Sequence, residues 1–285
     1  MALDMHITTH GAMTGSLFDW AKCCLDSCDP VEKVALTAQA FTALLANELH
    51  LESGDMPQPF ADAGRPICPK LVSPRKLPRR SPASREGRIA LLHAIAHIEF
   101  NAINLAWDAV YRFRGLPPRY YHDWARVAAE EAYHYRLIAA RLAEMDSAYG
   151  ELDAHDGLWA TAARTAHDPL VRMALVPRVL EARGLDVTPG MIERLREVDD
   201  NDSIALLEII LSDEIGHVEI GTRWFHYLCA QRQLDPEQTF ALLLDEYMQG
   251  QVRPPFHYEA RRRAGFSDNE MHRLELMAKK DRQGK

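Results

Sequence analysis

The feature that most constrains the fold of this chain is a pattern of glutamate and histidine that occurs twice. Glu131 and His134 form one Glu-x-x-His pair, and Glu214 and His217 form another, both inside long helical patterns. On a helix, residues i and i+3 lie on one face with their Cβ atoms about 5 to 6 Å apart, so each pair can bind one metal ion. The two pairs therefore predict two metal ions.

A single glutamate precedes each pair at nearly the same distance. Glu99 lies 32 residues before Glu131, and Glu181 lies 33 residues before Glu214. Chance alone should supply about one Glu-x-x-His in a chain with 13 histidines, so the repeated spacing is the stronger signal. A di-metal four-helix bundle needs one Glu from each of two helices and one Glu-x-x-His from each of the other two. The predicted ligands are Glu99, Glu131, His134, Glu181, Glu214 and His217.

Hydrophobic periodicity and turn residues divide the chain into four parts of an all-α protein. These are an N-terminal helical extension (1–52), a proline-rich basic arm (53–84), a di-metal four-helix bundle (85–232) and a C-terminal helical cap (233–285). The core helices are predicted at about 86–114, at 120–145, from Asp168-Pro169 to Arg183-Gly184, and at 201–232. Thr188-Pro189 is expected to start a further short helix. Ser267 and Glu270 form a predicted capping box in the cap.

The basic arm has two interpretations. Its seven prolines exclude regular helix, and its Lys and Arg residues make it cationic. It could simply wrap over the bundle surface, or it could form an anion-binding collar for a phosphate-bearing or RNA substrate. The arginine run Arg261–Arg263 is expected to be a solvated face.

The sequence allows more than one role for several residues near the predicted ligands. Pro177, four residues before Glu181, should bend the third core helix, either as a packing kink or to open a substrate channel. Gly221 could leave space beside the site or allow close helix packing. His93 and His97 lie beside the Glu99 stripe, so they are expected to be solvent-facing or to support ligands, not to bind metal.

Four carboxylates and two imidazoles suit Fe(II) or Mn(II), whereas zinc favours cysteine-rich sites. Two divalent ions would neutralise four glutamates, which makes their burial tolerable. Six protein ligands on two ions leave open positions where dioxygen or peroxide could bind, so oxidation is the predicted reaction class. Tyr133 and Tyr135 flank the ligands of the second core helix. They are candidate catalytic residues that could donate a hydrogen bond or an electron, or they could be ordinary core tyrosines.

Composition predicts a soluble, cytoplasmic protein. The net charge of −8 gives no global attraction to nucleic acid or to an anionic membrane, although a local basic patch remains open. The five cysteines contain no C-x-x-C pair and are expected to be reduced thiols. The first 20 residues lack a basic segment followed by an apolar run, and no stretch of 18 uncharged apolar residues occurs.

The predicted ligand set resembles the di-iron site of the ferritin-like superfamily, which includes ferritins, rubrerythrins, oxygenases and tRNA-modifying hydroxylases. Stretches such as HAIAHIEFNAINLAWDAVYRFRGLP, RTAHDPLVRMALVPRVLEARGLDVTPGMI and LSDEIGHVEIGTRWF further resemble an uncharacterised bacterial ferritin-like family of unknown function, over about Ser16 to Arg273. The resemblance implies a ferritin-like four-helix bundle. It does not determine the reaction, because the superfamily hosts several chemistries.

The resemblance also implies roles and partners. In di-iron oxygenases, an acidic residue just before the motif Glu often orients a ligand histidine, and Glu130 and Asp213 occupy these positions. Asp213 could instead be a ligand itself. The expected substrate is a small molecule or a modified nucleoside, with tRNA as a conceivable partner and no membrane. No flavin or nicotinamide motif occurs, so an external electron donor is expected. A homodimer is left open.

Two other functions compete with the leading hypothesis of a di-iron or di-manganese oxygenase. A ferroxidase or peroxide scavenger would use the metal itself as substrate. A non-catalytic binding module would use the six residues as buried salt bridges. The inner helix faces supply no Lys or Arg to neutralise the four carboxylates, which argues against the binding module.

Overall fold

The computed structural model describes residues 15–52, 57–58, 62–78, 80–248 and 252–283, with side chains to residue 279. The start of the predicted N-terminal extension and Arg79 of the basic arm lie outside these residues. The described chain is all-helical, and its only extended pairings are two isolated bridges, Ser16 with His50 and Leu71 with Ala154.

The two N-terminal helices are α1 (Leu17–Asp26) and α2 (Pro30–Leu45). Asp29 caps α2 by accepting a hydrogen bond from the Val31 N–H at 2.7 Å, and Pro30 occupies the first helical position, as predicted. Helix α1 packs against α3 (Arg85–Arg112), and α2 packs against α4 (Pro118–Glu144). The N-terminal helices therefore share one hydrophobic core with the central helices.

Helices α3 and α4 form an antiparallel pair. Gly115, in the connection between them, has a φ of 75°, a conformation that glycine adopts without strain. The Arg85 guanidinium at the start of α3 donates to the Met145 carbonyl just after α4, at 2.7 Å. Helix α8 (Asn201–Gln231) packs against α4, and both carry their Glu-x-x-His pairs inward.

The third core segment differs from its prediction. It consists of α6 (Pro169–Leu175), a π-helical turn (Val176–Glu181) and α7 (Ala182–Arg196) without interruption. The predicted end at Arg183-Gly184 and the separate helix from Thr188 are wrong, because Gly184 keeps a right-handed helical conformation and Pro189 lies inside α7. A buried ion pair from Asp186 to Arg261, with 2.7 Å between N and O, holds α7 through this stretch.

The remaining helices cover the core. Helix α5 (Gly157–Arg164) lies between α3 and the π-helical turn, and α9 (Pro236–Tyr247) packs on α6 and α8. Helices α10 (Tyr258–Arg263) and α11 (Asp268–Gln283) complete the C-terminal cap. The predicted capping box is present, because the Ser267 N–H donates to Glu270 Oε2 at 2.9 Å and the Glu270 N–H donates to Ser267 Oγ at 3.2 Å.

Helix α3 is long and apolar enough to cross a membrane by length and composition alone. In the structure, 72% of its apolar window is buried against other helices. Core helices of soluble proteins have the same property, and α3 also contains the buried carboxyl groups of Glu99 and Asp108. We therefore interpret α3 as a core helix.

Candidate metal centre

The structure brings all six predicted ligand residues to the core between α3, α4, the π-helical turn and α8. Glu99 comes from α3, Glu131 and His134 from α4, Glu181 from the last residue of the π-helical turn, and Glu214 and His217 from α8. All except Glu181 are buried residues, and the Oε2 atom of Glu181 is itself buried. We call these six residues the Glu/His cluster.

Glu131 lies at the middle of the Glu/His cluster. Its Oε2 atom is 3.4 Å from His134 Nδ1, and its Oε1 atom is 3.0 Å from His217 Nδ1. Glu99 Oε2 lies 3.2 Å from His134 Nδ1, and Glu214 Oε2 lies 3.9 Å from His217 Nδ1. Each oxygen of Glu131 therefore faces a different histidine, as a carboxylate shared between two positive centres would.

One ligand atom from each of Glu99, Glu131, His134 and Glu214 can be chosen so that all four lie within 4.8 Å of one another. His217 adjoins this group through Glu131 and Glu214. Glu181 is close enough for the charges of Glu131 and His217 to act on it. The cluster is thus compatible with a di-metal site.

Glu130 and Asp213 hold the histidines in a crossed arrangement. His134 on α4 donates from Nε2 to Asp213 Oδ2 on α8 at 3.0 Å, and His217 on α8 donates from Nε2 to Glu130 Oε2 on α4 at 2.7 Å. These bonds point both Nδ1 atoms at the carboxylates. Asp213 lies on the far side of the His134 ring from the cluster, so the geometry favours the orienting role over the alternative that Asp213 is a ligand.

Buried polar atoms without hydrogen bonds concentrate in the Glu/His cluster. Each of its six residues contributes at least one: Glu99 Oε2, both oxygens of Glu131, His134 Nδ1, Glu181 Oε2, Glu214 Oε2 and His217 Nδ1. Leaving a buried polar atom unsatisfied costs about 1 to 3 kcal/mol. Metal ions at these atoms would remove that cost, so the residues present fit such a group.

The pKa values of the cluster describe its metal-free charge. Burial and the charge of Glu131 raise the pKa of Glu99 and of Glu181 to about 8, and they raise that of Glu214 well above its ordinary range. Burial also acts to raise the pKa of Glu131, but the positive charges of His217 and His134 lower it below its ordinary value. Glu131 is therefore the carboxylate that stays ionised.

The two imidazoles respond in the opposite sense. Burial acts to lower the pKa of His134, but its contacts with Glu131 and Glu99 raise that pKa to about 12. Burial likewise acts to lower the pKa of His217, but the Glu131 charge and the hydrogen bond to Glu130 raise it well above its ordinary value. Without metal, one carboxylate thus lies between two imidazolium groups.

The candidate catalytic tyrosines lie apart from the cluster carboxylates. Tyr133 is 39% exposed, and the Arg136 guanidinium lies over its ring. Tyr135 is buried in an aromatic group with Phe100 and Tyr149. Among the described residues, no hydrogen bond joins either hydroxyl to the cluster, so the structure favours the interpretation of Tyr135 as a core residue. A catalytic role for either tyrosine stays a prediction.

Pro177 and Gly221 make a close contact beside the cluster. A Cβ atom on Gly221 would lie 2.3 Å from the Cβ and Cγ atoms of Pro177. Gly221 is therefore explained by helix packing, and not by space for a substrate. Pro177 lies within the π-helical turn that ends at Glu181, so its missing N–H produces a wider turn rather than a break.

His93 and His97 have structural partners that the sequence did not reveal. His93 Nε2 accepts from the Gly150 N–H at 2.9 Å, and His97 Nε2 bonds the His155 carbonyl at 3.1 Å. His97 Nδ1 also bonds the Tyr149 hydroxyl at 2.9 Å. Both histidines are buried and fasten the loop before α5 to α3, so the expectation of solvent-facing groups is wrong.

The core contains basic residues that the sequence analysis missed. Three arginines and one lysine are buried: Arg172, Arg178, Arg261 and Lys33. Arg172 pairs with Asp108 and Arg178 with Glu270, each at 2.6 Å. Lys33 Nζ donates to Asn104 Oδ1 at 2.6 Å. These basic residues pair with partners outside the Glu/His cluster, and the expected solvated role of Arg261 is wrong. Among the described residues, no ion pair of Lys or Arg reaches the Glu/His cluster.

Comparison with known proteins adds a family to this all-helical architecture and buried cluster. The chain belongs to the family described as protein of unknown function (DUF455), whose model matches residues 26–272. It is also 43% identical over 257 residues to an uncharacterized protein of Haemophilus influenzae, a match that covers 87% of this chain and 89% of that protein. No solved structure matches this chain.

Proposed function

We propose that this chain is a ferritin-like di-iron or di-manganese oxidoreductase that uses dioxygen or peroxide to hydroxylate or otherwise oxidise an organic substrate. One observation carries the proposal: all six residues of the Glu/His cluster contribute buried atoms that lack hydrogen-bond partners. Four carboxylates and two imidazoles are the donor set expected for two Fe or Mn ions in a four-helix carboxylate bundle.

The contacts suggest how the residues would share two ions. Glu99 and His134 would hold one ion and His217 the other, and Glu131, Glu181 and Glu214 would complete the two ligand sets. This division follows the short Glu99–His134 contact of 3.2 Å and the position of Glu131 between both histidines. Iron bound there would supply the electrons that reduce dioxygen or peroxide.

The protein's own residues would prepare the site in three ways. Asp213 and Glu130 fix each imidazole so that Nδ1 faces the cluster. The four glutamates neutralise the charge of two divalent ions, which lowers the cost of burial. The closely packed helices exclude bulk water, so the carboxylates act in a medium of low dielectric constant.

Metal content is the first test. Elemental analysis of protein purified without added metal, then loaded anaerobically with Fe(II), should give about two ions per chain. Glu131→Gln should lose both ions because it removes the shared carboxylate, whereas Glu144→Gln, an exposed change on the same helix, should keep them. Both variants should keep the helical circular dichroism of the parent.

Exposure of the loaded protein to oxygen separates the competing functions. The proposal predicts an optical change and slow iron turnover in the absence of an organic substrate. Rapid oxidation of many Fe(II) per chain would instead identify a ferroxidase. Failure of the folded protein to take up any metal would refute the proposal and favour a non-catalytic helical module.

A further inference from the structure

The positive charge of this acidic protein is concentrated in one short segment, residues 64–88, which we call the basic segment. It contains eight Lys or Arg residues and a single acid, Glu86, so it carries +7 in a chain of net charge −8. The other 260 residues therefore carry −15. Such an asymmetry indicates an anionic partner for one face of the protein.

Most of the described cations in the basic segment are exposed and unpaired, so they are available to bind an anionic partner. Arg85 pairs with Asp146 and Arg88 with Asp200, both near the start of α3. The other described cations are exposed, and they form no ion pair or side-chain hydrogen bond within the described residues. They are Arg65, Lys70, Arg75, Lys76 and Arg80.

The basic segment is held in place by its backbone and not by these charges. The Gly64 N–H donates to the Leu25 carbonyl at 2.6 Å, and a Cβ atom on Gly64 would lie 2.3 Å from the Asp26 carbonyl oxygen. Further along, the Val72 N–H donates to the Ala154 carbonyl at 2.8 Å. The fold therefore does not need the five free cations, and it presents them on an ordered surface.

The basic segment runs along the outer surface of α3, on the side where the loop before α5 also lies. Leu71 forms a bridge with Ala154, and the neighbouring His155 carbonyl bonds His97 of α3. The basic segment continues from there to the first residue of α3, a length of about 18 Å at 1.5 Å per helical residue. At that end, Arg80 and Arg194 line a groove of about 200 Å³.

We propose that the basic segment docks the phosphate backbone of an RNA, so that the site acts on a nucleoside within a polynucleotide. This inference rests on the proposed oxidation of an organic substrate. A row of separate cations fits a chain of phosphates, and six of the eight cations are arginines, which bind phosphate bidentately. RNA is the favoured polynucleotide because its loops present unpaired bases, which leave their stack to enter a buried site at the lowest cost.

A membrane surface fits the basic segment less well. Stable peripheral membrane binding combines basic residues with an apolar face or a lipid anchor. Ile67, which is 96% exposed, is the one large hydrophobic side chain among the strongly exposed residues described in this segment. Prolines, not a helix with an apolar face, separate the cations.

The test is the salt dependence of binding to total tRNA, measured by fluorescence anisotropy on the full-length, metal-loaded chain. Five phosphate contacts predict a slope of log K against log salt of about −3.5, or about 100-fold weaker binding at 200 mM than at 50 mM salt. We call the triple variant Lys70→Gln, Arg75→Gln and Lys76→Gln the basic-segment variant. It should have a slope that is less steep by about 2, and it should bind at least about tenfold more weakly at low salt. The matched control, Arg262→Gln with Arg263→Gln and Lys279→Gln, changes the same charge on the exposed C-terminal cap and should leave the slope unchanged.

Two results would overturn the docking surface: an unchanged slope in the basic-segment variant, or retention by phosphatidylserine vesicles without binding to tRNA. Failure of this inference is distinguishable from failure of the proposed function. The basic-segment variant should keep its two metal ions, and Glu131→Gln should lose them but still bind tRNA. A chain that binds metal but not tRNA would refute the docking surface alone. A chain that binds tRNA but no metal would refute the proposed di-metal oxidoreductase function.

Discussion

Metal loading should release an unusually large number of protons, because most side chains of the Glu/His cluster are protonated in the metal-free protein and must lose their protons to bind metal. At pH 7, Glu99 and Glu181, whose pKa values are raised to about 8, are mostly protonated, as is Glu214. His134 and His217 are both imidazolium groups. Three carboxyl protons and two imidazolium protons must leave when all six side chains bind metal.

The predicted number is therefore about five protons per two metal ions at pH 7 and below. It should fall as the pH rises through about 8, because Glu99 and Glu181 then lose their protons in the metal-free protein. The apparent binding constant for both ions together should correspondingly rise by about five powers of ten per pH unit below pH 7.

Isothermal titration with Mn(II) in buffers of different ionisation enthalpy measures this number directly. The slope of the observed enthalpy against the ionisation enthalpy of the buffer gives the protons released. Mn(II) avoids oxidation during the experiment. Release of only one or two protons upon uptake of two ions would refute the protonation pattern, because it would mean that most of the carboxyl groups are already ionised without metal.

Three further predictions follow from individual contacts. Asp213→Asn or Glu130→Gln should weaken metal binding by about 10- to 100-fold while the helical circular dichroism of the metal-free protein is retained, and competition with a chelator will measure the loss. Burial lowers the pKa of His97 to about 4, so the unfolded chain binds a proton that the folded chain does not, and stability should fall by up to about 3 kcal/mol as pH drops from about 6.5 to 4. Urea titrations should show a smaller decline in His97→Gln, and an equal decline would contradict this role. Gly221→Ala should cost about 1 to 3 kcal/mol of stability and reduce metal content, since its methyl group would collide with Pro177; an unchanged urea midpoint would show that the contact is loose.

The sequence predicted the grouping of the Glu/His cluster because helical periodicity determines which residues share a helix face. Glu131 and His134 must share a face of any helix that contains them, and so must Glu214 and His217. The start of α2 at Asp29-Pro30 and the capping box before α11 were equally predictable, because each depends on bonds between residues close in the chain.

Features set by contacts between distant residues were not predictable in the same way. The continuity of α7 through Pro189 depends partly on Arg261, which reaches Asp186 from a helix 75 residues further along the chain. The Arg261–Arg263 run looked like a solvated surface because sequence alone does not show that Asp186 is buried opposite the first arginine. The close approach of Gly221 to Pro177 likewise became visible only when the two helices were packed together.

The buried ion pairs and the Glu/His cluster together argue that the cluster is a binding site and not a structural network. Elsewhere in the core, the chain places a permanently charged guanidinium against a buried carboxylate, as in Arg172 with Asp108 and Arg178 with Glu270. Such pairs satisfy a buried charge without any outside partner. No described Lys or Arg forms an ion pair with the cluster, whose charges are balanced by removable protons. A network meant only for stability would gain from an arginine there, whereas a site for two cations would be blocked by one.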